Sequence, residues 1–178
     1  MIPVFDLDGT LVDSDAALSA PFVALGVAPE EITFGHVVAD ECARLGISLD
    51  AYLAAYDTEA AQPFDGVTEL LATLDRWAVC SNKHPTSGRA ELARLGWSPE
   101  VALFADAFEG PKDLGPVVTA LGIEATDVVF VGDTAHDRRC AAAVGARFAL
   151  AGWNPRAVSE PGDLVLAAPA DLLPHLVG

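Results

Sequence analysis

Residues 128–145 read VVFVGDTAHDRRCAAAVG. Val128, Val129, Phe130 and Val131 form an unbroken apolar run, the pattern of a strand buried on both faces. Gly132 and Asp133 end it, and Ala135–Val144 predicts a helix stopped by Gly145. A strand that runs straight into a helix is the repeating unit of a parallel sheet. Two further strands read clearly, at Ile2–Phe5 and Trp77–Cys80. Arg147–Leu150 and Leu164–Leu166 are weaker, and a strand at Leu103–Asp106 is possible. Helical spacing predicts helices over Asp65–Leu74 and Thr86–Leu95, the second stopped by Gly96. Another runs to Leu121, capped by Asp113 and followed by Gly122.

This alternation implies right-handed crossovers and an α/β fold, a Rossmann-like doubly wound parallel sheet covered on both faces. One stretch departs from it. Ser14–Gln62 carries helical patterns and no strand. Ala16–Leu25 is helical but interrupted by Pro21. Phe34, Val37, Val38, Glu41 and Leu45 follow a helical stripe that Gly46 stops. Ser48 can cap a third helix with Leu49, Tyr52, Leu53 and Tyr56 on one face. The expected organisation is a core of residues 1–13 and 63–178, with residues 14–62 a small helical cap inserted after the first strand.

The chain has 178 residues, 52% of them apolar, enough for a packed core without a disulfide or metal staple. Its 26 acidic residues against 10 basic ones give a net charge of -16. A nucleic-acid binder needs clustered Lys and Arg, and an anionic membrane surface would repel this chain. Neither nucleic acid nor membrane is therefore an expected partner. Residues 14–62 hold eight of the acids and one strong base, Arg44. No run approaches the ~18 apolar residues of a membrane span, and no targeting segment is visible at MIPVFDLDGT. Cys42, Cys80 and Cys140 fit neither a zinc pattern nor a disulfide framework, which points to a reducing, cytoplasmic setting.

Ligands of an open parallel sheet bind at the carboxyl ends of its strands. Those ends read Asp6-Leu7-Asp8-Gly9-Thr10, Ser81-Asn82-Lys83 and Gly132-Asp133-Thr134-Ala135-His136-Asp137. Acids at two strand tips make a hard oxygen site suited to Mg²⁺. A carboxylate can also serve as a nucleophile that becomes an aspartyl phosphate. No G-x-x-x-x-G-K-[ST] string exists, which excludes a P-loop enzyme.

DLDGTL at 6–11 resembles the first signature of the haloacid-dehalogenase-like (HAD) phosphohydrolases. Ser81 matches the second, Lys112 the third and GDTAHD at 132–137 the fourth, in the same order. The helical insertion resembles the cap of phosphoglycolate-phosphatase-like members, though it is shorter. In the family a proline often follows the lysine; here Asp113 does.

The resemblance implies roles. Asp6 would attack phosphorus. Asp8 would protonate the leaving alcohol and then activate water, and its presence favours phosphorus chemistry over dehalogenation. Mg²⁺ would be held by Asp6, the backbone carbonyl of Asp8 and Asp133, with Asp137 contacting it directly or through water. Ser81 and Lys112 would hold and neutralise the phosphate, with Gly9, Thr10 and Asn82 beside it; Gly9 also allows a sharp turn. Asn82 could equally serve only its own loop. Lys112 is favoured over Lys83, the one other lysine, for the charge-neutralising role.

His136 is expected to face solvent, His36 to be an ordinary surface residue, and Arg44 to pair with Asp40 or Glu41. Tyr52 and Tyr56 are expected to pack.

The function expected is an Mg²⁺-dependent phosphatase of a small phosphorylated metabolite, acting as monomer or homodimer. The alternatives are a sugar-phosphate mutase, which returns the phosphoryl group to substrate, and a catalytically silent binding or regulatory domain.

Overall fold

The computed structural model describes residues 1–33 and 37–177. Phe34 of the expected helical stripe and His36 lie outside the described residues.

A six-stranded, all-parallel sheet organises the chain, in spatial order β5-β4-β1-β6-β7-β8. Its strands are β1 (Ile2–Phe5), β4 (Ala78–Cys80), β5 (Val101–Leu103), β6 (Val128–Gly132), β7 (Arg147–Ala151) and β8 (Leu164–Leu166). β1 and β6 lie side by side at the centre, with Phe5 opposite Val131 in register. Their tips, Asp6 and Gly132-Asp133, therefore emerge together.

Successive strand residues bury opposite faces. Phe5, Val79, Val129, Val131 and Ala149 point into one core layer. Val4, Ala78, Cys80, Val128 and Phe130 point into the other. This period-2 division explains why VVFV is apolar at every position: neither face meets water. The second layer is closed by Leu114, Val117 and Leu121 of α6 (Leu114–Leu121) and by Cys140 and Ala141 of α7 (Ala135–Val144). The first is closed by Val67, Leu70 and Leu71 of α4 (Val67–Ala72) and by Leu92 of α5 (Pro85–Arg94). All three cysteines are free and buried.

Three expectations shift. The possible strand at Leu103–Asp106 lies earlier, at Val101–Leu103, and Ala105–Ala107 is a 3₁₀ turn. Short edge strands have little apolar alternation to mark their ends. The first helix, α1 (Asp15–Ala24), runs unbroken through Pro21, whose ring is buried in it. Finally, β2 (Val12–Asp13) and β3 (Gln62–Pro63) form a two-residue antiparallel clasp where the chain leaves and re-enters the core. So the stretch ending at Gln62 is not free of strand.

Between the strands of that clasp lie α1, a 3₁₀ turn at Pro29–Glu31, α2 (Val38–Leu45) and α3 (Leu49–Ala55). Ser48 Oγ accepts the Ala51 N–H at the start of α3, and Gly46 takes the left-handed conformation that ends α2. Phe22, Ile32, Cys42 and Tyr52 form a small core of their own. The Phe22 and Tyr52 rings lie 4.5 Å apart. Among the described residues, no helix is long and apolar enough to cross a membrane.

Candidate active site

At the end of β1, the Asp6 N–H still donates to the Val131 carbonyl at 3.0 Å, so Asp6 is held as a continuation of the sheet. Its Oδ1 accepts the Leu7 N–H at 2.7 Å. The chain then folds back on itself: the Leu11 and Val12 N–H groups both donate to the Leu7 carbonyl. Gly9 has φ of 74°, and a Cβ there would collide with the Asp133 carboxylate. Both the turn and the close approach require glycine.

At the end of β6, Thr134 caps α7. Its Oγ1 accepts the Asp137 N–H, and Asp137 Oδ2 accepts the Thr134 hydroxyl at 2.6 Å and its N–H at 3.0 Å. Asp137 thus serves as a helix-capping acid and also faces the site. Its Oδ1 lies 2.5 Å from Lys112 Nζ, and Lys112 Nζ lies 2.5 Å from Asp6 Oδ2. Lys112 therefore bridges the first and third of these carboxylates from the loop before α6.

Thr10 is fully buried, and its hydroxyl reaches Asp133 Oδ1 at 3.3 Å. Here Thr10 orients the Asp133 carboxylate. Asn82 lines the cleft and also stabilises its loop, since Oδ1 accepts the Lys112 N–H at 2.6 Å. Ser81 is buried at the end of β4 and lines the same cleft, next to Asp6, Asp8, Gly9 and Asp133.

Lys83 sits beside Asp8 rather than Asp6. Its Nζ is 2.6 Å from Asp8 Oδ1 and 3.1 Å from Glu91 Oε1, and it donates to Tyr56 Oη at 2.9 Å. Both lysines of the chain are thus spent on site carboxylates. Tyr56 does not merely pack. Asn154, whose Nδ2 donates to the Gly9 carbonyl at 2.8 Å and to Asp133 Oδ2 at 3.1 Å, completes the floor.

Tyr56, Glu91 and Asn154 were not foreseen as site residues. Residue type alone could not single them out, because nothing local distinguishes a buried Glu on a helix from a solvated one.

Arg44 pairs with Glu41 as expected, whereas His136, expected to face solvent, turns partly inward. Arg44 grips the buried Glu41 through Nε and Nη2, both at 2.7 Å. His136 is half-buried on α7, with Nε2 3.6 Å from Cys140 Sγ.

The electrostatics follow from crowding acids in a buried place. Burial, with the charges of Asp6 and Asp137, pushes the Asp133 carboxyl up to about 7. Burial also raises Asp6, to about 6; Lys112 opposes that shift and Asp137 adds to it. For Asp137, burial is outweighed by Lys112 and Thr134, and its carboxyl lies below the usual range. For Lys112, burial is outweighed by Asp137 and Asp6, which hold it charged.

Asp6, Asp133 and Asp137 each bring a carboxylate oxygen into one group, all within 4.8 Å of one another. Three hard anionic oxygens at that spacing, two of which resist ionisation alone, fit a hard divalent cation. The helical segment also lines the cleft, with Leu18, Phe22, Val38 and Tyr52 apolar and Asp15 and Glu41 acidic.

Residues 3–151 match the haloacid dehalogenase-like hydrolase family. A phosphoglycolate phosphatase of Xylella fastidiosa is 31% identical over 98% of this chain and 90% of its own length. An N-acetylmuramic acid 6-phosphate phosphatase of Pseudomonas aeruginosa is 30% identical over 75% of this chain and 74% of its own. In fold, the chain resembles a haloacid dehalogenase-like family hydrolase from Streptococcus pneumoniae, with a TM-score of 0.76, 18% identity and coverage of 98% and 97%.

Proposed function

The chain belongs to the haloacid dehalogenase-like hydrolases and is a phosphoric monoester hydrolase; from that premise we propose that it is Mg²⁺-dependent and works through an aspartyl phosphate at Asp6. The observation that carries this reading is the convergence of Asp6, Asp133 and Asp137 within 4.8 Å, with Lys112 on Asp6.

In the first half-reaction an Asp6 oxygen forms a bond to phosphorus as the bond to the leaving oxygen breaks. Asp8 gives that oxygen its proton. In the second, Asp8 takes a proton from water, the water oxygen bonds to phosphorus, and the bond to Asp6 breaks. Ser81 donates to a phosphate oxygen, and Lys112 offsets the charge that gathers there. Mg²⁺, held by Asp6, Asp133, Asp137 and the backbone carbonyl of Asp8, would let an anionic nucleophile meet an anionic phosphate.

Residues 14–62 act as the cap that selects the substrate. The two curated relatives carry phosphatase names with different substrates, which supports hydrolysis and leaves the alcohol to the cap. An apolar lining from a segment with eight acids and one strong base suits a small phosphorylated metabolite with a neutral or cationic tail over a polyphosphate. Three buried thiols suit the reducing cytoplasm.

The test is a panel of phosphorylated metabolites incubated with purified protein and Mg²⁺. Phosphate release from small monoesters, ahead of nucleoside triphosphates, is expected. Release from triphosphates alone, or from nothing on the panel, would overturn the assignment.

A further inference from the structure

A buried ring of side chains lies beside Asp8. Lys83 Nζ reaches Asp8 Oδ1 at 2.6 Å, Tyr56 Oη at 2.9 Å and Glu91 Oε1 at 3.1 Å. An ammonium has three N–H donors, and these three oxygens occupy them. Tyr56 Oη then donates to Glu91 Oε1 at 2.5 Å, which closes the ring. The side chain of Lys83 is 2% exposed and that of Glu91 0%, whereas that of Asp8 is 22% exposed and lines the cleft. Lys83 and Tyr56 line the cleft beside Asp8, and Glu91 lies behind them.

Stability alone is a poor account of this arrangement. A buried Lys–Glu pair repays little of its desolvation, and apolar residues of the same volume often do as well. What the ring does supply is position. Lys83 comes from the loop after β4, Glu91 from α5 and Tyr56 from the end of α3, so three elements converge on one ammonium. That ammonium pins one oxygen of Asp8.

We propose that Lys83, Glu91 and Tyr56 are positioning residues for Asp8. They hold its carboxylate in the one orientation from which it can protonate the leaving oxygen and later deprotonate water. The proposal rests on the acid/base role of Asp8 given above. It predicts an effect that falls unevenly on the two half-reactions. A nitrophenolate leaves without needing a proton, so the first half-reaction with p-nitrophenyl phosphate is insensitive to a misplaced Asp8. Hydrolysis of the aspartyl phosphate still requires Asp8 as base.

The experiment is rapid-mixing kinetics of p-nitrophenyl phosphate with Mg²⁺ for the unaltered protein, Glu91→Gln, Tyr56→Phe and Asp8→Asn. Glu91→Gln and Tyr56→Phe should keep a burst of about one nitrophenolate per enzyme. Their steady-state kcat should fall by about tenfold or more, with KM falling alongside it, so that kcat/KM, which the first half-reaction sets, changes little. Asp8→Asn should show the same pattern in stronger form. Should Glu91→Gln fail to fold, Tyr56→Phe, which removes one oxygen, carries the test. Burst and steady state falling in proportion would show a merely structural role and overturn the proposal. So would steady-state rates within about twofold of the unaltered protein while Asp8→Asn is impaired. A fully active Asp8→Asn would instead overturn the acid/base assignment on which the proposal stands.

Discussion

Lys112 Nζ lies 2.5 Å from Asp6 Oδ2 across 106 residues of sequence. The same ammonium lies 2.5 Å from Asp137 Oδ1, so one cation ties the tip of β1 to the first turn of α7. Removing it leaves two buried carboxylates without their partner, a cost of about 3–5 kcal/mol for a broken buried pair. Lys112→Met should therefore lower both the melting temperature and the rate, the latter by about 100-fold or more. Thermal scans and phosphate-release assays check this; a variant with unchanged melting and turnover would remove Lys112 from the site.

Protons and metal compete for the same oxygens. In the metal-free chain Asp133 titrates at about 7 and Asp6 at about 6, both raised chiefly by burial. A carboxyl raised in the folded state contributes stability that is full below its unfolded value near 4 and is lost as pH climbs through about 6 to 7. Mg²⁺ needs the ionised forms, so the rise in melting temperature on adding Mg²⁺ should be larger at pH 8 than at pH 5.5. An equal or larger rise at pH 5.5 would contradict the shared site.

Asn154 should matter to the metal without touching it. Its amide holds Asp133 Oδ2 and the Gly9 carbonyl. Asn154→Ala should raise the Mg²⁺ concentration for half-maximal activity by about 10–100-fold, read from a Mg²⁺ titration. An unchanged titration would make Asn154 a loop-packing residue only.

Two glycines separate backbone strain from site geometry. Gly9 and Gly122 both have positive φ, but only at Gly9 would a Cβ meet the Asp133 carboxylate. Gly122→Ala should cost about 1 kcal/mol of stability and leave turnover alone. Gly9→Ala should also weaken Mg²⁺ activation. Equal effects of the two on the Mg²⁺ titration would sink this distinction.

The residues that were legible in the sequence are those whose position follows from local pattern. VVFV marks β6 because both its faces are buried, and the acids at 6, 8, 133 and 137 sit where a strand ends. The bounds of Ala135–Val144 are legible because Thr134 and Gly145 cap it. Glu91 was not legible, since a Glu on a helix signals solvent until a lysine 8 residues earlier is known to turn under the same helix. The packing of Tyr56 is legible in the helical face it shares with Tyr52, whose ring lies 6.0 Å away; its hydroxyl role depends on two elements far from it in sequence. Thr10 carries a motif letter, yet its direction is set by Asp133, 123 residues away.

The central claim is that Asp6 attacks phosphorus with Mg²⁺ bound beside it. Phosphate release from p-nitrophenyl phosphate, followed with Mg²⁺, with EDTA, and for Asp6→Asn with Mg²⁺, tests it most directly. The account predicts turnover in the first case only, with Asp6→Asn still folded by circular dichroism. Full turnover in EDTA, or in Asp6→Asn, would contradict it.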